Sequence, residues 1–133
     1  MSKVVVETAG WIRGESDVVT VEVAMVYETS DPYAVRLHIN ADGERRCWTF
    51  GRDLMADGLR SMVPVGEGAV QVQATSVLTE VSYVDEAGEY LVLRLPWWNT
   101  REFIRLSQVE VPRGSESCDV DRWVAQLTTS QEP

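Results

Sequence analysis

Asp53 and Asp57 stand four positions apart, about one helical turn, a spacing at which two carboxylates can act together as acid and base. Arg52 and Arg60 flank them, and that pattern reads as a solvated ion-pair face. Asp85-Glu86 falls in a turn-like stretch, and Asp119-x-Asp121 opens a helical one, where acids cap. The single histidine, His38, shares the polar side of its segment with Arg36, so it is assigned no catalytic role. Cys47 and Cys118 are far apart without a CxxC pair, which argues against structural zinc. Cys47 is expected to be buried, with no base beside it to form a thiolate. GxSxG, Walker, GxGxxG and HExxH patterns are lacking. The residues therefore predict a protein that is not an enzyme and uses no metal or cofactor.

The whole chain agrees with that expectation. Its 133 residues suit one domain with its own core. The formal charge is −9, from 21 acidic and 12 basic side chains, Lys3 being the only lysine. Such a balance disfavours a large nucleic-acid footprint or an anionic membrane surface. The opening Met-Ser-Lys-Val-Val-Val-Glu is too short for a secretion signal, and no apolar run approaches the ~18 residues of a membrane span. A cytoplasmic protein without membrane insertion is expected.

The elements that must position these side chains are mostly strands. Residues 3–7 form a short strand or a frayed end, and Ala9 to Asp17 reads as turn-rich, with Trp11 inside it. In residues 18–28, Val19, Val21, Val23, Met25 and Tyr27 point one way, towards a core. Asp31-Pro32 makes a stiff corner, with Asp31 placed for an Asx-type turn. Tyr33 to Asn40, a hairpin at Asn40-Ala41-Asp42-Gly43, and Arg45 to Phe50 follow. Gly51 to Leu59 is a short helix with Leu54, Met55 and Leu59 inward, Arg52, Asp53 and Asp57 outward, and Gly58 as C′ residue. Three further strands span Val70–Thr75, Leu78–Val84 and Tyr90–Leu95. A helix then runs from Trp97 or Thr100 to Ser107, with Asn99 and Glu102 as a capping box. Finally Val120, Trp123, Val124 and Leu127 fall at i, i+3, i+4 and i+7, an amphipathic helix with Asp119 as cap, before a disordered tail from Thr128.

Tyr27-Glu28-x-x-Asp31-Pro32-Tyr33-Ala34-Val35, Trp48-x-Phe50-x-Arg52-Asp53-Leu54-x-x-x-Gly58-Leu59 and Val111-Pro112-Arg113-Gly114-x-Glu116 occur in this order. Together they resemble the SsgA-like family of actinomycete sporulation and cell-division regulators, from about Val18 to Glu116. The chain departs from that pattern at Gly68-Ala69-Val70, which lacks an acid, and at Trp97-Trp98, where many members have small residues. The resemblance implies an α+β fold: a strongly bent antiparallel sheet of about seven strands with two to three helices, Whirly-like in architecture. It divides the chain into an SsgA-like domain, 1–116, and a C-terminal amphipathic helix and tail, 117–133.

The resemblance also implies a function. Such proteins are non-enzymatic, assemble as homotrimers, are recruited to septa, and control septum placement, assembly of the tubulin-like protein FtsZ or septal wall synthesis. Partners would be further copies, FtsZ or other SsgA-like proteins. Trp11, Trp97, Trp98 and Trp123 are the expected interface residues, since exposed tryptophans often anchor contacts. The alternative implied by the Whirly-like architecture is single-stranded nucleic-acid binding, for which Arg36, Arg45, Arg46 and Arg94 would supply part of a basic groove.

Overall fold

Alternation of side chains along β2 (Val18–Glu28) sets the inside and outside of the fold. Val21, Val23, Met25 and Tyr27 are buried, while Thr20 and Glu22 face solvent. The computed structural model describes residues 2–117, and Cys118, Trp123 and the expected C-terminal helix lie outside the described residues. Seven antiparallel strands make one sheet in the order β4-β3-β2-β1-β7-β6-β5. They are β1 (Lys3–Arg13), β2, β3 (Ala34–Ala41), β4 (Glu44–Gly51), β5 (Val70–Ala74), β6 (Leu78–Val84) and β7 (Tyr90–Pro96), with helices α1 (Arg52–Gly58) and α2 (Trp97–Glu110).

The sheet curls around its buried face. Trp48 on β4 stacks on Tyr83 of β6, with ring centroids 5.0 Å apart, although four strands separate β4 from β6 in the hydrogen-bonded order. The space enclosed is filled from both halves by Leu37, Ile39, Val72, Val81, Leu93 and Leu95, and by Phe103 of α2. Each strand therefore needs apolar residues at every second position, as β3 and β7 carry them.

β1 is a correction to the sequence reading. It is one strand of 11 residues that runs through Trp11, not a short strand followed by a turn. Gly10 allows this, because a Cβ there would collide with the Arg94 carbonyl oxygen where β7 comes alongside. Val19 is also not core. β1 and β2 pair from Lys3↔Glu28 to Arg13↔Val18, but β3 covers β2 only from Glu22 to Val26, so the far end of the ribbon has no third strand on that side. There Val19 is 38% exposed.

The corner and hairpins keep the chain compact. Tyr27 Oη donates to the Pro32 carbonyl at 3.1 Å, and both residues are buried. Asp31 does not make the expected side-chain turn; its carboxylate accepts from Arg36 Nη2 at 2.7 Å. In the β3–β4 hairpin Asp42 and Gly43 have φ of 53° and 85°, the pair of positive values a tight primed turn requires. Cys47, expected inside, is exposed on the outer face of the edge strand β4, because the inward positions belong to Trp48 and Phe50.

The helices depart from the sequence reading in three ways. Arg52 faces the interior, not solvent. Gly58 is not a left-handed C′ residue: Leu59 ends α1 in the αR region, and Gly58 is needed because a Cβ would overlap Val72 of β5. α2 takes the earlier of its two expected starts, Trp97 directly after Pro96, but runs past Ser107 to Glu110 and has no side-chain cap. Asn99 Nδ2 donates to Thr8 Oγ1 at 2.6 Å, and Glu102 pairs with Arg105, so neither forms the expected capping box. Proline at the boundary has fixed φ and lacks an N–H, which starts the helix three positions earlier than a capping Asn99 would.

A candidate protein-docking surface

Three distant stretches of sequence meet around Arg52, and their meeting fixes the relative placement of the helices. The Arg52 side chain is 1% exposed. Its Nη1 donates to the Ser107 and Val111 carbonyls at 3.1 and 2.7 Å, at the C-terminal end of α2, where a cation is favoured. Its Nη2 donates to Glu116 Oε1 at 2.6 Å. The guanidinium also lies 4.8 Å from the centre of the Tyr27 ring. Glu116 is held from two other sides: Gly114 N donates to Oε2 at 2.8 Å, and Tyr33 Oη donates to its carbonyl at 3.0 Å.

The electrostatics follow from that enclosure. Burial pushes the Glu116 carboxyl up, but the hydrogen bonds from Arg52 and nearby backbone outweigh it and hold the group below its ordinary value. Burial pushes the Tyr27 hydroxyl above its ordinary value, partly offset by Arg52. On the adjoining surface Arg113 bridges both carboxylates of α1, at 3.2 Å to Asp53 and 2.7 Å to Asp57. The hydrogen bond from Arg113 draws the Asp57 pKa down. Asp53 and Asp57 are thus occupied by a single arginine from far along the chain, and not by Arg52 and Arg60.

The other end of the helix pair is apolar and open. Trp97 donates its backbone N–H to the Val77 carbonyl at 2.9 Å and its indole N–H to the Leu59 carbonyl at 3.1 Å. Ala74 N donates to the Ser61 carbonyl at 2.8 Å. These bonds gather the start of α2, the β5–β6 turn and the loop after α1. The segments so gathered carry Met62, Val63, Val77 and Trp98, which are 86%, 67%, 66% and 67% exposed. Trp97 and Trp98 meet edge to face, with centroids 5.3 Å apart, and the Arg101 guanidinium lies 5.4 and 5.3 Å from their ring centres. A cluster of this kind, preset by backbone hydrogen bonds beneath it, is what a protein contact uses.

Of the expected interface residues, the structure brings Trp97 and Trp98 together, the first half-buried and the second exposed. Trp11 is half-buried on the outer face of the sheet, paired with Thr20 and Arg94, away from that end. Trp123 lies outside the described residues. Met62, Val63 and Val77 are additions that single-sequence reasoning missed, since nothing in their spacing links them.

The expected basic groove is largely committed elsewhere. Arg36 pairs with Asp31, Arg46 with Glu44 and Arg94 with Glu80. Arg45 faces an open, shallow surface that Glu7 and Glu22 also line. Among the described residues no three His, Cys, Asp or Glu side chains are grouped to hold a metal ion, and no helix is long and apolar enough to cross a membrane.

Comparison with known proteins adds the remaining step. Residues 21–116 match the family described as Streptomyces sporulation and cell division protein, SsgA. The chain is 32% identical over 108 residues to the sporulation-specific cell division protein SsgB of Frankia casuarinae, covering 77% of this chain and 73% of that one. It is also 32% identical over 101 residues to SsgB of Streptomyces coelicolor, covering 72% of each. A solved SsgB structure, tied to mutations that correlate to longitudinal cell division during sporulation of Streptomyces coelicolor, superposes with a TM-score of 0.71 at 27% identity. That match covers 87% of this chain and 95% of that structure. The fold of an SsgA-like sporulation-specific cell division protein from Thermobifida fusca is shared over 95% of this chain and 96% of that one, with a TM-score of 0.78 at 23% identity. The Arg52 junction joins the three motifs by contact, and the matched region spans them, so the chain belongs to the SsgA-like family of sporulation and cell-division proteins.

Proposed function

We propose that this protein acts in sporulation-linked cell division by binding other proteins, without turning over a substrate. The observation that carries the reading is the preset apolar end formed by Met62, Val63, Val77 and Trp98. The finer reading is a homo-oligomer, a trimer, that works in the cytoplasm at division septa. There it controls FtsZ assembly or septal wall synthesis through direct contacts with FtsZ or other SsgA-like proteins. Names of relatives support the division role, and the exposed tryptophan supports contact as the means.

The test is complementation of septation in a sporulating host that lacks its own copy of the gene, by wild type and by Trp98→Ala. Septa at normal spacing with wild type and disordered or missing septa with the variant are expected, at equal protein level. Normal septation with Trp98→Ala would remove the docking reading. Sedimentation addresses assembly separately: only a 14.9 kDa species at high concentration would remove the trimer.

A further inference from the structure

The chemistry of the partner segment can be read from what surrounds the apolar end. Residues 59–65, 74–78 and 96–101, which build it, contain no Asp or Glu, in a chain that has 21 acids. The only charged residues inside these stretches are Arg60 and Arg101, with Asp57 and Glu102 lying just outside them. Arg101 stacks over Trp97 and Trp98, and Arg60 sits in the loop that carries Met62 and Val63. Neither arginine makes an ion pair among the described residues, whereas Arg36, Arg46, Arg52, Arg94, Arg105 and Arg113 all do. An unpaired guanidinium beside an apolar surface favours a carboxylate on whatever covers that surface.

Resting on the docking reading above, we infer that this end receives a short segment of a partner protein in which apolar side chains are flanked by Asp or Glu. The apolar groups would cover Met62, Val63, Val77 and Trp98, and the carboxylates would meet Arg60 and Arg101. A symmetric contact with the same end of a second copy fits poorly, because it sets arginine against arginine. Residues 118–133 of the chain itself are the competing occupant, which a peptide of that sequence tests.

The experiment is selection from a display library of short random peptides against the full-length protein, with Trp98→Ala and the Arg60→Glu/Arg101→Glu double variant in parallel. All three positions are exposed, so folding is checked by an unchanged Tm. The expected result is enrichment of peptides combining aliphatic or aromatic residues with Asp or Glu. Synthetic copies should lose about tenfold or more in affinity with the double variant, and weaken as salt rises. Enrichment of neutral or basic peptides, no enrichment over Trp98→Ala, or equal affinity for the double variant would overturn the inference. Displacement by a peptide of residues 118–133, or self-association that Trp98→Ala abolishes, would also overturn it by naming another occupant. If Trp98→Ala disrupts septation but the double variant does not, docking stands and the acidic partner falls. If Trp98→Ala septates normally, docking itself falls.

Discussion

Removing the Arg52 side chain leaves Glu116 enclosed without its counter-ion and the end of α2 without its donors. Breaking a buried pair from one side costs about 3–5 kcal/mol, so Arg52→Ala should lower the unfolding free energy by that much, seen as a lower denaturant midpoint at unchanged slope. Lysine would keep the charge but lose the fork that reaches three acceptors, and Arg52→Lys should recover only part of the loss. Acid should act through the same junction. The folded-state pKa values of Glu116 and Asp57 lie below their ordinary ones, so the stability they add is complete above the unfolded values and is lost as pH falls through the folded ones. Unfolding free energy measured against pH should therefore decline below about 4.5. Glu116→Gln should flatten that decline while lowering stability near neutrality. None of this is legible locally, because beside Asp53 on a helical wheel Arg52 looks like a surface residue. Its acceptors stand 55 to 64 positions along the chain.

Strands with strict alternation announce themselves, and β2, β3, β4 and β7 can be drawn from period-two patterning alone. β1 hides because Gly10 reads as a turn residue when its purpose is close approach to β7. The start of α2 is legible from Pro96, but its capping is not, since a sequence that offers Asn99 and Glu102 for capping uses them for Thr8 and Arg105. Gly58 gives the test at this scale. A methyl group there has no room against Val72, and the contact joins α1 to β5 across the fold. Gly58→Ala should destabilise by about 1–3 kcal/mol, the ordinary cost of overpacking, despite alanine's better helix propensity. An unchanged Tm would mean that α1 can shift away from the sheet without loss.

Across the whole molecule, the two ends of the helix pair have opposite characters. One is closed by charge inside the fold, and the other is apolar and open to solvent. Trp98→Ala should leave stability within about 0.5 kcal/mol of wild type, as expected for an exposed side chain. A larger loss in thermal unfolding would make Trp98 part of the core and not of a contact surface. The tryptophans of this end are visible in the sequence as an adjacent pair. Its remaining members are not, because Met62, Val63 and Val77 join them only through hydrogen bonds from Trp97 to Leu59 and Val77.

The carboxylate of Glu116 closes a junction whose arginine leaves the ribosome 64 residues earlier. Until then the Arg52 cation has only the Ser107 and Val111 carbonyls to meet it in the interior, and no counter-ion. Synthesis therefore has to pass Glu116 before this part of the fold can lock. A released chain ending at Glu110 should remain open to limited proteolysis near α1, and one ending at Ser117 should resist it.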